Sequence, residues 1–292
     1  MSIIEAHGLA RAFATKQGRI EAVCGVDVTV EPGEIVGFLG PNGAGKTTTL
    51  RMLTTLLQPT AGTATVVGCD LLTDPQGVRE RIGYVSQVGG TDPSCPVAEE
   101  LILQGELHGL TRADAMRRAE GLYDALDLRA IALRPAGSLS GGQRRRLDIA
   151  LGLVHRPPLL FLDEPSTGLD PQSRSHLWDL VRRQRSEHNT TVFLTTHYLD
   201  EADALADRLL IIDHGRIVAE GTPDALKRRI SGDVVTLEIR GDVERARTAI
   251  AAHPGVRDVT GAGATLRLTV DSDERALVEL VRLLDDLSLI HI

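Results

Sequence analysis

Residues Gly40 to Thr48 read Gly-Pro-Asn-Gly-Ala-Gly-Lys-Thr-Thr. Gly40, Gly45, Lys46 and Thr47 hold the fixed places of the phosphate-loop pattern G-x-x-x-x-G-K-[ST]. The apolar run Ile35-Val36-Gly37-Phe38-Leu39 precedes the loop, and a helical pattern from Thr47 to Leu57 follows it. A strand that turns through glycines into a helix leaves backbone N–H groups aimed at one point. Such a nest holds a polyanion, and the helix dipole favours negative charge there. Gly40, Pro41, Asn42, Gly43, Ala44, Gly45, Lys46, Thr47 and Thr48 are therefore candidates to hold a nucleoside triphosphate. Lys46 can reach the β- and γ-phosphates, and the Thr47 hydroxyl can ligate Mg²⁺.

Four further segments have the residue types for chemistry. Leu159-Leu160-Phe161-Leu162-Asp163-Glu164-Pro165 is an apolar strand ending in two acids. Asp163, at its tip, can hold Mg²⁺ through the ion's water shell, and Glu164 can orient or deprotonate an attacking water. Ser140-Gly141-Gly142-Gln143 opens a helix with a hydroxyl and bare amides, a second anion site of the same kind as the first. Tyr84-Val85-Ser86-Gln87 places a glutamine at the end of a strand, and Thr195-Thr196-His197 places a histidine at the end of another. Taken alone, Gln87 says little and His197 reads as a structural histidine.

Alternating elements must position these groups. Residues 3 to 39 read as short β segments, Ile3–His7 and Ala22–Val30, with a turn at Glu31-Pro32-Gly33-Glu34. Strands are expected at Thr63–Val67 and Ile82–Val85. Residues 92 to 137 turn helical: Val97 to Leu107 has helical apolar spacing, and Thr111-Arg112-Ala113-Asp114 is a capping box opening the next helix. From Leu159 on, strand and helix patterns alternate: Leu159–Leu162, Gln172–Glu187, Thr191–Thr195, Leu199–Ala206 and Leu209–Asp213. Such alternation implies crossovers and a largely parallel sheet. The run Arg144-Arg145-Arg146 reads as a solvated helix face.

The 292 residues suit one large domain or two modest ones, and 42% hydrophobic with 25% charged residues is an ordinary globular composition. No apolar stretch approaches the roughly 20 residues that cross a bilayer. Met1-Ser2-Ile3-Ile4-Glu5 has no secretory pattern, and Cys24, Cys69 and Cys95 read as small residues in a reducing compartment, so a cytosolic protein is expected. A net charge of −8 argues against nucleic acid as a partner.

In these five segments the chain resembles the ATP-binding subunits of ABC transporters, over nearly all of residues 3 to 230. The resemblance implies an α/β P-loop NTPase core with a β subdomain, a helical subdomain over about residues 92–137 that carries the signature, and ATP and Mg²⁺ as cofactors. It implies that His197 contacts the γ-phosphate and steadies Glu164, and that Gln87 reaches Mg²⁺ and the attacking water. It also implies a head-to-tail homodimer, the nucleotide lying between one copy's Lys46 loop and the other's Ser140 loop. Asp170 would cross that interface and Phe13 would stack on adenine. Phosphate loop and signature are not separated by a long coiled coil, and there is one motif set. A transporter subunit therefore leads over an ATPase of translation or repair. Thr195 to Asp203, continuing to Ile217, is similar to the daunorubicin/doxorubicin-resistance group of drug exporters. That likeness implies a separate integral-membrane permease and a place at the cytoplasmic face of the membrane.

A second domain, small and α+β, is expected over residues 232–292. Val235, Leu237 and Ile239 alternate as a strand; a helix over Glu244–Ala252, strands at Val256–Thr260 and Leu266–Val270, and a helix face at Leu277, Leu280, Val281 and Leu284 follow. One more strand would complete a split βαβ sandwich, so the domain reads as truncated. The closing Leu287-Ser288-Leu289-Ile290-His291-Ile292 matches the translated end of a DNA-tagging transposon and is expected to be sequencing read-through.

Overall fold

Alternate residues of each central strand enter two different cores. Leu159 and Phe161 pack on one side of the strand that carries them, Leu160 and Leu162 on the other, and all four are buried. A strand buried on both faces needs apolar side chains at every position, and Leu-Leu-Phe-Leu supplies them. Phe38, Phe161 and Phe193, from three strands, stack as tilted rings with centroids 5.6 and 5.7 Å apart.

The computed structural model describes residues 2–15, 18–231, 233–239, 242–253, 255–263 and 265–270. In chain order the first unit holds β1 (Ile4–Thr15), β2 (Gly18–Val30), β3 (Ile35–Leu39), α1 (Lys46–Leu53), β4 (Ala61–Val66), β5 (Cys69–Asp70), α2 (Pro75–Arg81) and β6 (Ile82–Val85). It continues with α3 (Val97–Leu107), α4 (Arg112–Ala125), α5 (Gly141–Leu153), β7 (Leu159–Asp163), α6 (Pro171–His188), β8 (Thr191–Thr196), α7 (Leu199–Leu205), β9 (Arg208–Asp213) and β10 (Arg216–Gly221).

Five of these strands, β9-β3-β8-β7-β6, lie parallel in that order, and β10 closes the β9 edge antiparallel. The antiparallel sheet β2-β1-β4-β5 contributes the other half of one core, and helices α3 to α6 pack against the opposite face. The parallel arrangement brings the ends of β3, β6, β7 and β8 to one edge, where an open α/β sheet binds its ligands.

Most elements lie where the sequence places them; several differ in extent. α1 stops at Leu53 rather than Leu57, because Thr55 turns left-handed at φ 63°. β1 and β2 form one long hairpin instead of two short segments, its outer half only partly buried. The short α2 was not expected; Asp74 caps it by accepting from Gly77 N, and Pro75 opens it. Thr111 caps α4 as expected. The arginine run is not uniformly solvated, since Arg145 is buried. No helix among the described residues is long and apolar enough to cross a membrane.

The chain divides into two compact units between Gly221 and Thr222, one helix earlier than the sequence suggests, so α8 (Pro223–Ser231) groups with the second unit. That unit continues with β11 (Asp233–Glu238), α9 (Val243–Ala251), β12 (Val256–Ala262) and β13 (Thr265–Val270). The strand order β11-β13-β12, with both pairs antiparallel, is that of a split βαβ unit. Ile239, Ala246, Ile250, Leu266 and Leu268 form its core. The helix face at 277–284 and the closing six residues lie outside the described residues.

Candidate functional site

The loop after β3 needs glycine at two places. Gly45 sits at φ 108°, where a Cβ would meet the Ala22 carbonyl, and a Cβ on Gly40 would run into the Ile212 carbonyl. The turn feeds directly into α1, whose first amides have no intrahelical partner and face outward. Lys46 folds back over the loop: its Nζ donates to Gly40 O at 2.8 Å and Pro41 O at 3.1 Å. The same ammonium lies 3.4 Å from Glu164 Oε1, and both side chains are buried.

The acids come from the end of β7, where Asp163 pairs in register with Thr195 of β8. Asp163 Oδ1 accepts from Thr195 Oγ1 at 2.7 Å and from Thr47 Oγ1 at 3.1 Å. Glu164 leaves the strand in the left-handed region, at φ 45°, which turns its carboxylate back toward the loop. Its amide donates to Thr195 O at 3.1 Å and Thr195 Oγ1 at 3.0 Å. Three side chains surround the carboxylate besides Lys46. Gln87 Nε2 donates to Glu164 Oε2 at 3.0 Å, Thr167 Oγ1 reaches the same oxygen at 3.4 Å, and His197 Nδ1 lies 3.3 Å away without making a hydrogen bond.

These groups enclose a cleft of about 510 Å³ lined by Ala22, Asn42, Gly43, Gly45, Lys46, Thr47, Thr48, Gln87, Glu164, Thr167 and His197. One wall is cationic and donor-rich, as a phosphate chain requires; the other presents a carboxylate that can accept a proton from water. The paired oxygens of Thr47 and Asp163 are the hard donors that magnesium prefers, so the residues fit that ion.

Not every candidate converges there. Gly40, Pro41 and Ala44 shape the loop without lining the cleft. Phe13 sits opposite Ile20 on the hairpin under the Arg11 guanidinium, 4.8 Å from its ring centre, and lines a separate surface hollow with Thr15 and Arg19. Ser140 caps α5 in a full capping box: its Oγ accepts from Gln143 N at 3.3 Å, and Gln143 Oε1 accepts from Ser140 N at 3.0 Å. Asp170 caps α6, accepting from Ser173 N at 2.9 Å and Ser173 Oγ at 2.6 Å, and these bonds hold its carboxyl below the usual range. A Cβ on Gly142 would meet that Ser173 hydroxyl, so the two caps are neighbours. Ser140–Gln143 and Asp170 thus form a second cluster, outside the cleft of the same chain.

Sequence reasoning gave no role to Thr195, Ala22, Thr167 or Arg145. Arg145 shares the buried face of α5 with Ile149, Gly152 and Leu153, a spacing that the arginines on either side of it mask.

A sheet of this order, with an anion cradle, a magnesium-competent acid and a carboxylate facing the cradle along one edge, is the nucleotide-binding domain of an ATP-binding cassette ATPase. A family model described as ABC transporter matches residues 23–167. The chain is 46% identical over 255 residues to the daunorubicin/doxorubicin resistance ATP-binding protein DrrA of Streptomyces peucetius, covering 87% of this chain and 76% of the relative. It is 40% identical over 266 residues to the Nod factor export ATP-binding protein I of Ralstonia nicotianae (strain ATCC BAA-1114 / GMI1000), covering 90% and 80%. Among solved structures, an ATP-binding subunit of an ABC transporter superposes with a TM-score of 0.70 at 27% identity, covering 78% of this chain and 93% of the other. The chain belongs to the ABC transporter family as an ATP-binding subunit, an ATPase whose hydrolysis is coupled to transport.

Proposed function

We propose that this subunit works as a pair of copies that drives the export of a drug- or antibiotic-like hydrophobic compound through a separate integral-membrane permease, at the cytoplasmic face of the membrane. The names of its relatives, which speak of drug resistance and of export, support the direction and the cargo class. The observation that carries the pairing is the placement of Ser140. An exposed capped helix start of anion-binding type stands outside the cleft that holds Lys46 and Glu164. One chain therefore offers two half-sites, and a second copy turned head to tail joins them around one ATP. Asp170, beside Gly142, would lie along the seam, and Phe13, on the hairpin, would face the base.

Within each joined site Lys46 and the loop amides hold the phosphates, and Glu164 accepts a proton from the attacking water. Gln87 fixes the carboxylate's direction through its hydrogen bond, and His197 stands 3.3 Å from the same oxygen, placed to face the γ-phosphate. Thr47 and Asp163, with Gln87 nearby, would hold Mg²⁺, whose charge offsets that of the phosphates. ATP binding at both sites closes the pair, and loss of the γ-phosphate removes the bridging ligand. Val88, next to Gln87, is 89% exposed, and this apolar side chain at the surface beside Gln87 supports a permease contact.

The test is Glu164→Gln. It is expected to keep ATP affinity, to lose hydrolysis by on the order of 10²- to 10⁴-fold, and to trap a dimer visible by light scattering. A strictly monomeric variant under excess ATP would overturn the pairing, and near-parental turnover would overturn the assignment of the base. Co-purification with an integral-membrane protein in detergent, rather than with ribosomes, tests the partner.

A further inference from the structure

Arg145, the middle member of the arginine run, points into the protein from the first turns of α5. Its guanidinium meets three backbone carbonyls: Nε donates to Pro165 O at 2.8 Å, Nη1 to Ser86 O at 2.6 Å and Nη2 to Asp163 O at 3.2 Å. The side chain is 7% exposed, and the nearest carboxylate oxygen, of Asp148, is 4.0 Å away. The identity of those carbonyls gives the contact its meaning. Asp163 and Pro165 are the neighbours of Glu164 on either side, and Ser86 is the residue before Gln87. One planar fork thus holds the peptide before a residue at φ 45° and the carbonyl of the residue after it, and ties both to the peptide that aims the glutamine at its carboxylate. A lysine ammonium, a point charge on a flexible stem, cannot span three acceptors set in a fork.

We propose that Arg145 is a positioning residue for ATP hydrolysis: by clasping the Ser86, Asp163 and Pro165 carbonyls it holds Glu164 and Gln87 in register. This rests on the reading of Glu164 as the base. Because α5 begins at Ser140, the same rigid helix links the exposed anion site to the alignment of the acid in its own chain's cleft.

The test is Arg145→Lys in the full chain, with steady-state hydrolysis, nucleotide affinity and thermal unfolding all measured. The expected result is a kcat lower by roughly ten- to a hundred-fold, the loss typical of a catalytic group displaced by about an ångström, with KM and ADP affinity within about twofold. The decisive readout is the double variant. If Arg145 acts through Glu164, adding Arg145→Lys to Glu164→Gln costs the residual rate nothing more. An equal fold-loss in both backgrounds, a loss of ADP affinity matching the loss of kcat, or a parental kcat would each overturn the proposal. If the lysine variant does not fold, the neutral Arg145→Gln carries the same comparison. Failure of the base itself shows separately, as retained turnover in Glu164→Gln alone.

Discussion

Glu164 Oε1 and Lys46 Nζ lie 3.4 Å apart at 8% and 4% exposure, so the cation of the glycine loop balances the buried acid. The pair ties the end of β7 to the start of α1, the two elements that form the walls of the cleft. Lys46→Ala is expected to do two things at once. Nucleotide affinity should fall by about a hundredfold or more, since the loss of one charge-assisted contact to phosphate costs about 2–3 kcal/mol. Folding stability should fall too, by on the order of 3 kcal/mol, because Glu164 is left as an uncompensated buried charge. Calorimetric titration with ATP and thermal unfolding check the two effects. In the double variant with Glu164→Gln the stability loss should largely vanish; if it persists, the pair is not its cause.

Thr195 serves both acids. Its hydroxyl donates to Asp163 Oδ1 at 2.7 Å, and its oxygens accept the Glu164 amide. Thr195→Val keeps the shape and removes the hydroxyl, leaving a buried carboxylate oxygen short of a donor. A stability loss of about 1–3 kcal/mol is expected. The Mg²⁺ concentration for half-maximal hydrolysis should rise several-fold, because Asp163 is then less firmly aimed. A magnesium titration unchanged from the parent would show that Asp163 is positioned without Thr195.

The parts legible in the sequence are those whose signal is local. Gly40 to Thr48 announces its own turn chemistry, and Leu159 to Glu164 announces a doubly buried strand with acids at its tip. β6, β7, β8 and β9 lie within a residue of their expected bounds because apolar runs end abruptly at turns or charged residues. Long-range pairing is not legible in this way. The outer half of the β1–β2 hairpin, residues 10–15 and 18–24, is too exposed to alternate clearly, and what holds it is its register with the partner strand. Arg145 was hidden for the opposite reason. Between two other arginines it looks like surface charge, and only the arrival of three distant carbonyls makes a buried guanidinium tolerable. That Ser140 stands outside the cleft is likewise a consequence of sheet order rather than of any local pattern.

Acid should destabilise the protein through His155. Its ring stacks on His108 with centroids 3.6 Å apart, and Nε2 donates to Ile82 O at 3.0 Å. Burial pulls its pKa down to about 4, and the charge of a protonated His108 adds to the effect. A depressed histidine contributes stability that is complete above its unfolded value of 6.5 and is lost as pH falls through about 4. His155→Gln, which retains a donor toward Ile82, should therefore show a shallower loss between pH 6.5 and 4, by up to about 3 kcal/mol. Urea unfolding at several pH values measures the difference; parallel curves for parent and variant would place the imidazole in solvent.

Asp148 should act with the opposite sign over an overlapping range. It lies on α5 at 8% exposure, and Gly89, two residues after Gln87, packs against its carboxyl so closely that a Cβ there would fall 3.0 Å from Oδ2. Burial pushes its pKa up to about 6, although the Arg145 guanidinium pulls the other way. A carboxyl raised in this manner favours the fold while neutral, so its contribution is complete below the unfolded value of 3.8 and is lost as pH rises through about 6. Asp148→Asn mimics the neutral form at every pH. Relative to the parent the variant should gain stability from pH 4 to pH 7, by up to about 3 kcal/mol, and level off above that. Because His155 and Asp148 tilt the parent's profile in opposite directions, neither shows in the parent alone, and each needs its own variant. If the gap between Asp148→Asn and the parent narrows as pH rises, the carboxylate is held by Arg145 as a true ion pair, and attraction outweighs burial at this site.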